Sequence, residues 1–389
     1  MELRAYLDNS ATTKPFDEVK EIMMRTLEVD FGNPSSLHKK GVEAECYIKE
    51  ARKIIAQSLK VMEKEIIFTS GGTESNNTAL IGTALANKRN GNHIITTRIE
   101  HPSVYNPLIY LEEMGFEVTY LNVDKNGQID LQELLDAVKD TTILVSVMYV
   151  NNEIGSILDL ETISRIMKEK NRRILFHVDA IQAYGKFRIY PNKMSIDLLS
   201  VSAHKIHGPK GIGFLYIKDK TKIKPLLYGG EQQKGMRSGT ENVPGIAGLA
   251  TAVKKIYEDH EKKIKKMYEL KQYFVEEVEK IDGSYINGMN GVLLEQTAPH
   301  IISVSFSDVR SEVLLHALSE KGICVSAGSA CASNHPNISG TLKAIGVKKE
   351  LLDNTIRVSL SEMTTIEELT ITIEALKEIL PTLRRYTRH

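Results

Sequence analysis

Two apolar runs of this chain end abruptly in polar residues that could carry chemistry. The run ILFHVD ends at Asp179, and the run DLLSVS ends at Ser202, which is followed by His204 and Lys205. A lysine placed directly after a buried strand costs free energy unless its charge is paired, neutralised or consumed in a covalent bond. Lys205 is therefore the first residue whose chemistry has to be explained.

Polar residues follow three earlier apolar runs in the same way. They are the segment Gly71-Gly72-Thr73-Glu74-Ser75 after IIFTS, the pair Glu100-His101 after HIITT, and the segment Asn151-Asn152-Glu153 after ILVSVMYV. In open α/β sheets, ligands bind beyond the carboxyl ends of the strands, where loops and helix N-termini converge. We therefore expect these residues to share one site with Asp179 and Lys205.

The GGTES segment has the features of an anion site, because small residues, a hydroxyl group and the free amides of a helix N-terminus suit a phosphate. Taken singly, each residue also has a structural explanation. The glycine pair suits a plain capped turn, Asp179 a helix cap, His101 a hydrogen-bonded loop, and Asn152 a turn. A second glycine-rich loop at 229–240 adds an arginine and hydroxyl groups. That composition equally suits a flexible surface loop.

Taken together, these residues match the requirements of pyridoxal phosphate. That cofactor needs a lysine that forms a Schiff base, a carboxylate on its pyridinium nitrogen, and donors for its phosphate. Lys205 and Asp179 on adjoining strands supply the first two, and the GGTES segment supplies the third. The combination predicts a pyridoxal phosphate site.

The elements that must position these residues alternate along the chain. From residue 65 onward, short β-rich runs alternate with helical segments near 74–88, 103–114, 130–139 and 160–170. This alternation predicts an α/β fold with a mainly parallel sheet that helices cover on both faces. The segment 254–281 has one apolar stripe and a charged opposite face, which predicts one solvated helix that bridges to a smaller domain.

The remaining sequence predicts a smaller α+β domain. It contains the strand-like runs HIISVSF and TIRVSL and helical segments near 311–321, 339–345 and 365–383. A chain of 389 residues exceeds a single typical core, so two domains are expected. We assign residues 16–258 to a large cofactor-binding domain, and residues 1–15 and 259–389 to the smaller domain.

Composition excludes several classes of protein. The 50 basic residues balance the 50 acidic ones, so net charge gives no reason to expect nucleic acid or an acidic membrane surface as a partner.

The cysteines Cys46, Cys324 and Cys331 are too few for a disulfide framework and form no CxxC pair, which predicts a reducing setting and no metal site. Cys46 lies in a helical pattern and is predicted to pack inside. Charges near the N-terminus and the lack of a long apolar run predict a cytoplasmic protein.

The order of the motifs resembles that of the cysteine desulfurases, enzymes that use pyridoxal phosphate to supply sulfur for iron-sulfur clusters and tRNA thiolation. The motifs that carry the resemblance are YLDNSATT, FGNPSSLH, FTSGGTESNN, Glu100-His101, NNEIG, HVDAIQ, SAHKIHGPKGIG, GMRSGT, VSAGSAC and TIRVSL. The resemblance extends over roughly residues 5–375. It implies the pyridoxal phosphate transferase fold type I, with a mainly parallel seven-stranded sheet in the large domain.

The resemblance also implies a role for each matching residue. Lys205 would form the Schiff base, and His101 would stack on the ring and assist proton transfer. The cofactor's pyridinium nitrogen, phenolic oxygen and phosphate would be held by the remaining cofactor residues, which are Asp179, Gln182, Asn152, Gly72, Thr73, Ser202, His204 and, from the other subunit of a homodimer, Thr240. Arg357 would bind the substrate carboxylate with help from Asn33.

Cys331 matches the sulfur-accepting cysteine of this family. It follows Ala327-Gly328-Ser329-Ala330 and precedes Asn334-His335-Pro336-Asn337, a composition typical of a polar loop. A structural cysteine is expected within an apolar run, as Cys324 is in ICVSA. The residues alone leave a reactive and a structural role open, and the resemblance implies that the smaller domain carries Cys331 as the persulfide cysteine.

The implied reaction converts L-cysteine to L-alanine and leaves the sulfur as a persulfide on Cys331. A cluster scaffold or a tRNA thiolation protein would then accept the sulfur. The segment ASNHPNISGTLKAIG beyond the cysteine differs from the versions associated with general cluster assembly, so the acceptor stays open, a selenium pathway included. The alternatives are a selenocysteine lyase, another aminotransferase-like enzyme, and a sulfur-relay scaffold whose catalysis is secondary.

Overall fold

The structure is a computed structural model that describes residues 2–327 and 339–387. Its strands are β1 (Ala5–Tyr6), β2 (Ile66–Thr69), β3 (His93–Thr97), β4 (Glu117–Leu121), β5 (Thr142–Met148), β6 (Leu175–Asp179), β7 (Leu198–Ser202), β8 (Gly213–Ile217), β9 (Ser284–Asn287), β10 (Ile301–Phe306), β11 (Ile323–Cys324), β12 (Ser326–Ala327) and β13 (Thr355–Ser359). Its helices are α1 (Asp17–Glu28), α2 (Lys39–Leu59), α3 (Gly72–Asn77), α4 (Thr83–Asn87), α5 (Pro102–Glu113), α6 (Leu131–Ala137), α7 (Leu160–Lys170), α8 (Val243–Tyr257), α9 (His260–Val278), α10 (Ser311–Glu320), α11 (Gly340–Ala344) and α12 (Ile366–Thr387). In the described part of the chain, no helix combines the length and the apolar character that a bilayer span requires.

A seven-stranded sheet forms the centre of the larger part of the molecule. Its strand order is β2-β8-β7-β6-β5-β3-β4. Strands β3 to β7 pair in parallel, whereas β8 runs antiparallel to both of its neighbours. The predicted α/β class with a mainly parallel sheet is therefore confirmed.

Helices cover both faces of this sheet, as the near-continuous apolar strands require. On one face, Val145 and Val178 of the strands join one buried cluster with residues of α1, α2, α7 and α8. On the other face, the adjacent strand residue Leu144 joins a second cluster with Leu80 and with residues of α5. Successive strand side chains point to opposite faces, so strands β3 to β8 contribute to both clusters.

A second, antiparallel sheet forms the centre of the smaller α+β part. Its strand order is β12-β13-β10-β9, and β1 pairs in parallel with β11 beside it. The apolar faces of α9, α10 and α12 pack against this sheet in a separate buried cluster. The exact domain bounds, 16–258 against 1–15 and 259–389, remain a prediction.

The single helix predicted for 254–281 is wrong, because the segment forms the end of α8 and all of α9. The break lies at Asp259, whose φ of 49° and ψ of 33° are left-handed. Helix α8 buries Ile256 in the core of the large sheet, whereas α9 buries Leu270 and Phe274 in the core of the second sheet. One straight helix could not direct its apolar stripe toward both cores, so the chain changes direction between them.

The prediction that Cys46 packs inside is also wrong. Helix α2 buries Ala44, Ile48, Ala51 and Ile55, which lie three and four residues apart on one face. Position 46 lies off this face, and the Cys46 side chain is exposed. The helical pattern was right, but Cys46 does not follow its apolar period.

An extended N-terminal segment, residues 7–16, connects the second sheet to the turn that carries Lys205. At one end, the Ser359 amide of β13 donates to the Leu7 carbonyl at 2.7 Å. At the other end, the Thr13 amide donates to the His204 carbonyl at 2.9 Å, and the Phe16 amide donates to the His207 carbonyl at 3.1 Å. The position of Lys205 therefore depends on residues almost two hundred positions earlier in the chain.

A buried hydrogen bond between a histidine and a carboxylate joins the same turn to the residues that follow β13. His207 Nε2 lies 3.1 Å from Glu362 Oε2, and the two side chains are only 1% and 6% exposed. Burial opposes ionisation of Glu362, but the His207 hydrogen bond and the charge of Lys186 outweigh it and lower the pKa of Glu362 to about 2. Glu362 is therefore a carboxylate throughout the neutral range.

We expect this carboxylate to make stability depend on acid. Because its pKa is lower in the folded than in the unfolded state, the unfolded state binds more protons, and stability falls as the pH falls from about 4.5 toward about 2. The loss amounts to about 3 kcal/mol in total. Urea unfolding at stepped pH should show a shallower acid dependence in Glu362→Gln than in the wild type. The exposed Glu350→Gln variant should match the wild type, and parallel curves for Glu362→Gln would contradict the prediction.

Candidate active site

One cavity of about 280 Å³ lies at the carboxyl ends of the parallel strands. Strands β6 and β7 end at its wall with Asp179 and Ser202, and the segments after β3 and β5 add His101 and Asn152. The cavity brings together ten of the residues singled out in the sequence, which are Gly72, Thr73, His101, Asn152, Asp179, Gln182, Ser202, His204, Lys205 and Arg357.

Lys205 reaches the cavity from a single helical turn, Ala203–Lys205, directly after β7. Its Nζ donates to the carbonyl of Ser10 and, at 2.8 Å, to the carbonyl of Ala11. Both acceptors belong to the N-terminal segment 7–16. The lysine predicted to need a partner is thus held by neutral backbone carbonyls, and both Lys205 and Ser10 line the same cavity.

Asp179 is a buried carboxyl group with two short contacts. Its Oδ1 accepts from the Ile181 amide at 3.0 Å, and its Oδ2 accepts from Asn76 Nδ2 at 2.8 Å. Burial raises the pKa of Asp179, while the Ile181 amide and the nearby His101 oppose this shift. A buried carboxyl group with a raised pKa gains stability as an anion when a positively charged N–H lies against it.

A chain of hydrogen bonds connects Asp179 to His101 through residues that the sequence reasoning missed. Asn76 Nδ2 donates to Ser103 Oγ at 2.9 Å as well as to Asp179, and Ser103 Oγ lies 2.8 Å from His101 Nδ1. The Ser103 amide also donates to His101 Nδ1 at 3.1 Å. Because Nδ1 is an acceptor, the proton of the neutral His101 ring lies on Nε2. Burial lowers the pKa of His101, so the ring is neutral at pH 7.

The start of α3 lies at the cavity, where Gly72 and Thr73 form part of its lining. The chain continues as helix from Gly72 to Asn87, because the π-helical turn Thr78–Gly82 joins α3 to α4. A Cβ added at Gly72 would lie 2.2 Å from Ile181 Cδ1, so a larger residue there would push the Ile181 side chain aside. Burial and the charges of Lys205 and Lys210 lower the pKa of His204 to about 4. His204, which also lines the cavity, is therefore a neutral hydrogen-bonding group at pH 7.

Arg357 supplies a positive charge on the opposite side of the cavity. It lies in the middle of β13 and is 3% exposed. Its Nη1 donates to the Asn152 carbonyl at 2.9 Å, and its Nη2 donates to Asp8 Oδ1 at 3.0 Å. Its Nε is buried and has no hydrogen-bond partner among the described residues. The guanidinium therefore keeps donor capacity for an anion.

Gln182 also lines the cavity. Its Nε2 donates to the Ser10 carbonyl at 3.0 Å, and its Oε1 lies 3.4 Å from Nε2 of the buried His300. Gln182, like Lys205, is thus held in place by the N-terminal segment 7–16.

Comparison with known proteins agrees with this geometry. Residues 5–371 match the family described as aminotransferase class-V. The chain is 45% identical over 385 residues to cysteine desulfurase IscS of Dictyoglomus turgidum. The alignment covers 99% of this chain and 96% of that protein. The chain belongs to the class-V aminotransferases, among the cysteine desulfurases.

Solved structures in the cysteine desulfurase family have the same architecture. A NifS-like protein superposes with a TM-score of 0.92 at 39% identity and covers 98% of this chain and 100% of its own. The structure described as SspA in complex with cysteine superposes with a TM-score of 0.80 at 35% identity, covering 93% of this chain and 100% of its own. The fold predicted from the resemblance is therefore confirmed.

Two described residues expected from the cysteine desulfurase resemblance, Asn33 and Thr240, do not line the cavity. Asn33 and Thr240 are exposed. Asn33 Oδ1 accepts from the Ser35 amide at 3.0 Å, and the loop with Thr240 is held beside α3 by Arg237, whose Nε donates to Glu74 Oε1 at 3.0 Å. Their predicted roles remain predictions. Cys331 lies outside the described residues.

Proposed function

We propose that this cysteine desulfurase binds pyridoxal phosphate in the cavity, converts L-cysteine to L-alanine and keeps the sulfur as a persulfide on Cys331. The observation that carries the proposal is the placement of an amine, a buried carboxylate and a helix start in one cavity, at Lys205, Asp179 and Gly72. The SspA structure described as a complex with cysteine supports the same substrate for this chain.

The residues of the cavity fit the cofactor at each of its polar positions. The amides at the start of α3, with Thr73, Ser202 and the neutral His204, offer donors for a phosphate. Asp179 would hold the proton of the pyridinium nitrogen, and Gln182 and Asn152 would contact the ring substituents. Bound there, pyridoxal phosphate supplies an electron sink for the substrate's Cα.

The chain's own residues then bind and orient the substrate. Arg357 would bind the substrate carboxylate through donors that Asp8 and the Asn152 carbonyl leave available. Lys205 Nζ, held beside the Ser10 and Ala11 carbonyls, would move the proton at the substrate's Cα. His101, whose Nε2 carries the ring proton, would stack on the cofactor and assist proton transfer.

Cys331 would complete the reaction as the sulfur acceptor. Its thiolate attacks the sulfur of the substrate, so an S–S bond forms while the C–S bond of the substrate breaks. The electron pair of the C–S bond stays on the carbon skeleton and is protonated there. One cysteine and one Cys331 thiol thus become one alanine and one persulfide, with no external oxidant or reductant.

The remaining assignments concern partners and setting. We propose a homodimer in which Thr240 of the partner subunit reaches the phosphate, and Asn33 as a further substrate contact. The persulfide would pass to a sulfur-acceptor protein, either a cluster scaffold or a tRNA thiolation protein. A thiol that carries a persulfide works in a reducing compartment, which favours the cytoplasm.

The test is an assay of the purified, cofactor-loaded enzyme with L-cysteine and a dithiol. We expect alanine and sulfide in equal amounts and no 2-oxo acid. Formation of a 2-oxo acid would contradict the proposal and favour an aminotransferase. A strong preference for L-selenocysteine over L-cysteine would favour a selenocysteine lyase, and a yellow protein without turnover would favour a relay scaffold.

A further inference from the structure

Ser339 is the first described residue after the segment that contains Cys331, and its side chain makes two contacts at once. Its Oγ accepts from the Leu342 amide at 3.0 Å and thereby caps α11. The same Oγ donates to Glu153 Oε2. The Thr341 side chain forms a second hydrogen bond to Glu153. The start of α11 is thus attached to the turn that follows β5.

That turn is itself rigidly held. The amides of Glu153 and Ile154 donate to Asn151 Oδ1 at 2.9 and 3.0 Å. Asn151 Nδ2 in turn donates to the Ile99 carbonyl at 3.0 Å, two residues before His101. Side-chain contacts of this kind fix a turn without regular secondary structure. Glu153 therefore presents its carboxyl group from a fixed point next to Asn152, which lines the cavity.

Apolar contacts reinforce the same attachment. Ile154 is buried against Leu342 and Ile345 of the α11 region, and the three form a small cluster of their own. Helix α11 spans only five residues, Gly340–Ala344, so it has little stability by itself. Its position depends on the turn at 151–154.

The upstream end of the segment is attached beside the same residues. Ser326 of β12 pairs with Arg357 of β13, and Arg357 Nη1 donates to the carbonyl of Asn152. Cys331 follows Ala327 by four residues, a reach of about 14 Å at most, and precedes Ser339 by eight, a reach of about 28 Å. Both chain ends that lead to Cys331 are therefore attached beside Arg357 and Asn152, on the cavity wall.

We propose that Glu153 is a positioning residue that, through Ser339, anchors the downstream end of the Cys331 segment to the wall of the active site. The inference rests on the proposed sulfur-accepting role of Cys331. Breaking the anchor would move the first fixed point after Cys331 further along the chain, which should reduce the fraction of time that the thiol spends near the substrate sulfur. Because binding of cofactor and substrate does not involve Glu153, kcat should fall while KM and the cofactor's absorbance stay unchanged.

The test separates the anchor from the helix cap. In Ser339→Asp the new carboxylate can still accept from the Leu342 amide, but the hydroxyl that donates to Glu153 is gone. We expect kcat for alanine formation to fall about tenfold, with KM and cofactor absorbance within about twofold of the wild type. Adding Glu153→Gln should restore most of kcat, because the glutamine amide can donate to that carboxylate. Ser339→Thr, which keeps a hydroxyl donor, should resemble the wild type.

A second readout follows Cys331 directly. The rate at which iodoacetamide alkylates Cys331 in the holoenzyme should rise in Ser339→Asp and return toward the wild-type rate in the double variant. Asp130→Ala is the matched control, since Asp130 caps another short helix, α6, through the Gln132 amide at 2.8 Å and forms no hydrogen bond with the described residues Ser339 and Glu153. It should change neither kcat nor the alkylation rate.

Three outcomes would overturn the inference. They are an unchanged kcat in Ser339→Asp, a double variant no better than Ser339→Asp, and a loss of cofactor absorbance, which would place the effect at the cofactor instead of the cysteine. If the wild-type enzyme forms no alanine, the proposed function fails. The alkylation comparison still tests the anchor in that case, so the two failures are distinguishable.

Discussion

Lys205→Ala should lose at least about 10³-fold of the alanine-forming activity, because the proposed proton transfer at Cα has no other amine in place. Lys205 Nζ is held by the Ser10 and Ala11 carbonyls, and no neighbouring lysine has this position in the cavity lining. The variant should also fail to retain the cofactor covalently. Borohydride treatment followed by peptide mapping should attach the cofactor to the Lys205 peptide in the wild type and to no peptide in the variant.

Lys210 provides the matched control for this substitution. It lies in the same SAHKIHGPKGIG motif, five residues further on, and its side chain is exposed. Lys210→Ala should keep both turnover and covalent attachment. Substantial turnover in Lys205→Ala would remove Lys205 from the mechanism. An equal loss in Lys210→Ala would show that the motif tolerates no alanine and that folding, not chemistry, is affected.

Cys331→Ala should abolish persulfide and sulfide formation while the cofactor's visible absorbance persists. The expected loss is at least about 10²-fold, since removal of a nucleophile leaves the proposed S–S bond without a partner. Mass spectrometry of the wild type after exposure to L-cysteine should show one added sulfur on the peptide that contains Cys331. Full absorbance with no turnover would separate sulfur transfer from cofactor binding.

The other two cysteines are the controls. Cys46 is exposed on α2, and Cys324 lies in β11, where burial and the charge of Asp8 raise the pKa of its thiol. A thiol with a raised pKa is a poor nucleophile at neutral pH. Cys46→Ala and Cys324→Ala should therefore retain turnover. Retained turnover in Cys331→Ala, or loss of turnover in Cys324→Ala, would contradict the assignment of Cys331.

The sequence by itself determined the architecture and the ends of the strands. Alternating apolar runs and helical periods are local patterns, so they predicted the α/β class and the positions of Asp179 and Lys205 at strand ends. The short polar segments after those strands, such as Gly72 and His101, could likewise be assigned to one edge of the sheet, because parallel strands end on the same side. Together these residues predicted pyridoxal phosphate as the cofactor, and the family resemblance added the roles of Arg357 and Cys331.

The tertiary structure decided which atoms meet in the cavity. Asn76 and Ser103 join His101 to Asp179, yet each is an ordinary polar residue of a helix in the sequence. The carbonyl acceptors of Lys205 belong to Ser10 and Ala11, and backbone carbonyls carry no sequence signal at all. The sequence analysis also missed the helix break at Asp259. The break arises because α8 packs on one core and α9 on another, and the apolar stripe of one straight helix could not face both cores.

The same division explains the anchor at Glu153. Its neighbours in sequence predicted only a turn after β5, whereas its partner Ser339 lies 186 residues further on. Patterns along the chain report periodicity and local turns. Contacts between residues so far apart arise from the order of the strands and the packing of one sheet against the other, and only the folded chain brings Glu153, Arg357 and the two ends of the Cys331 segment together.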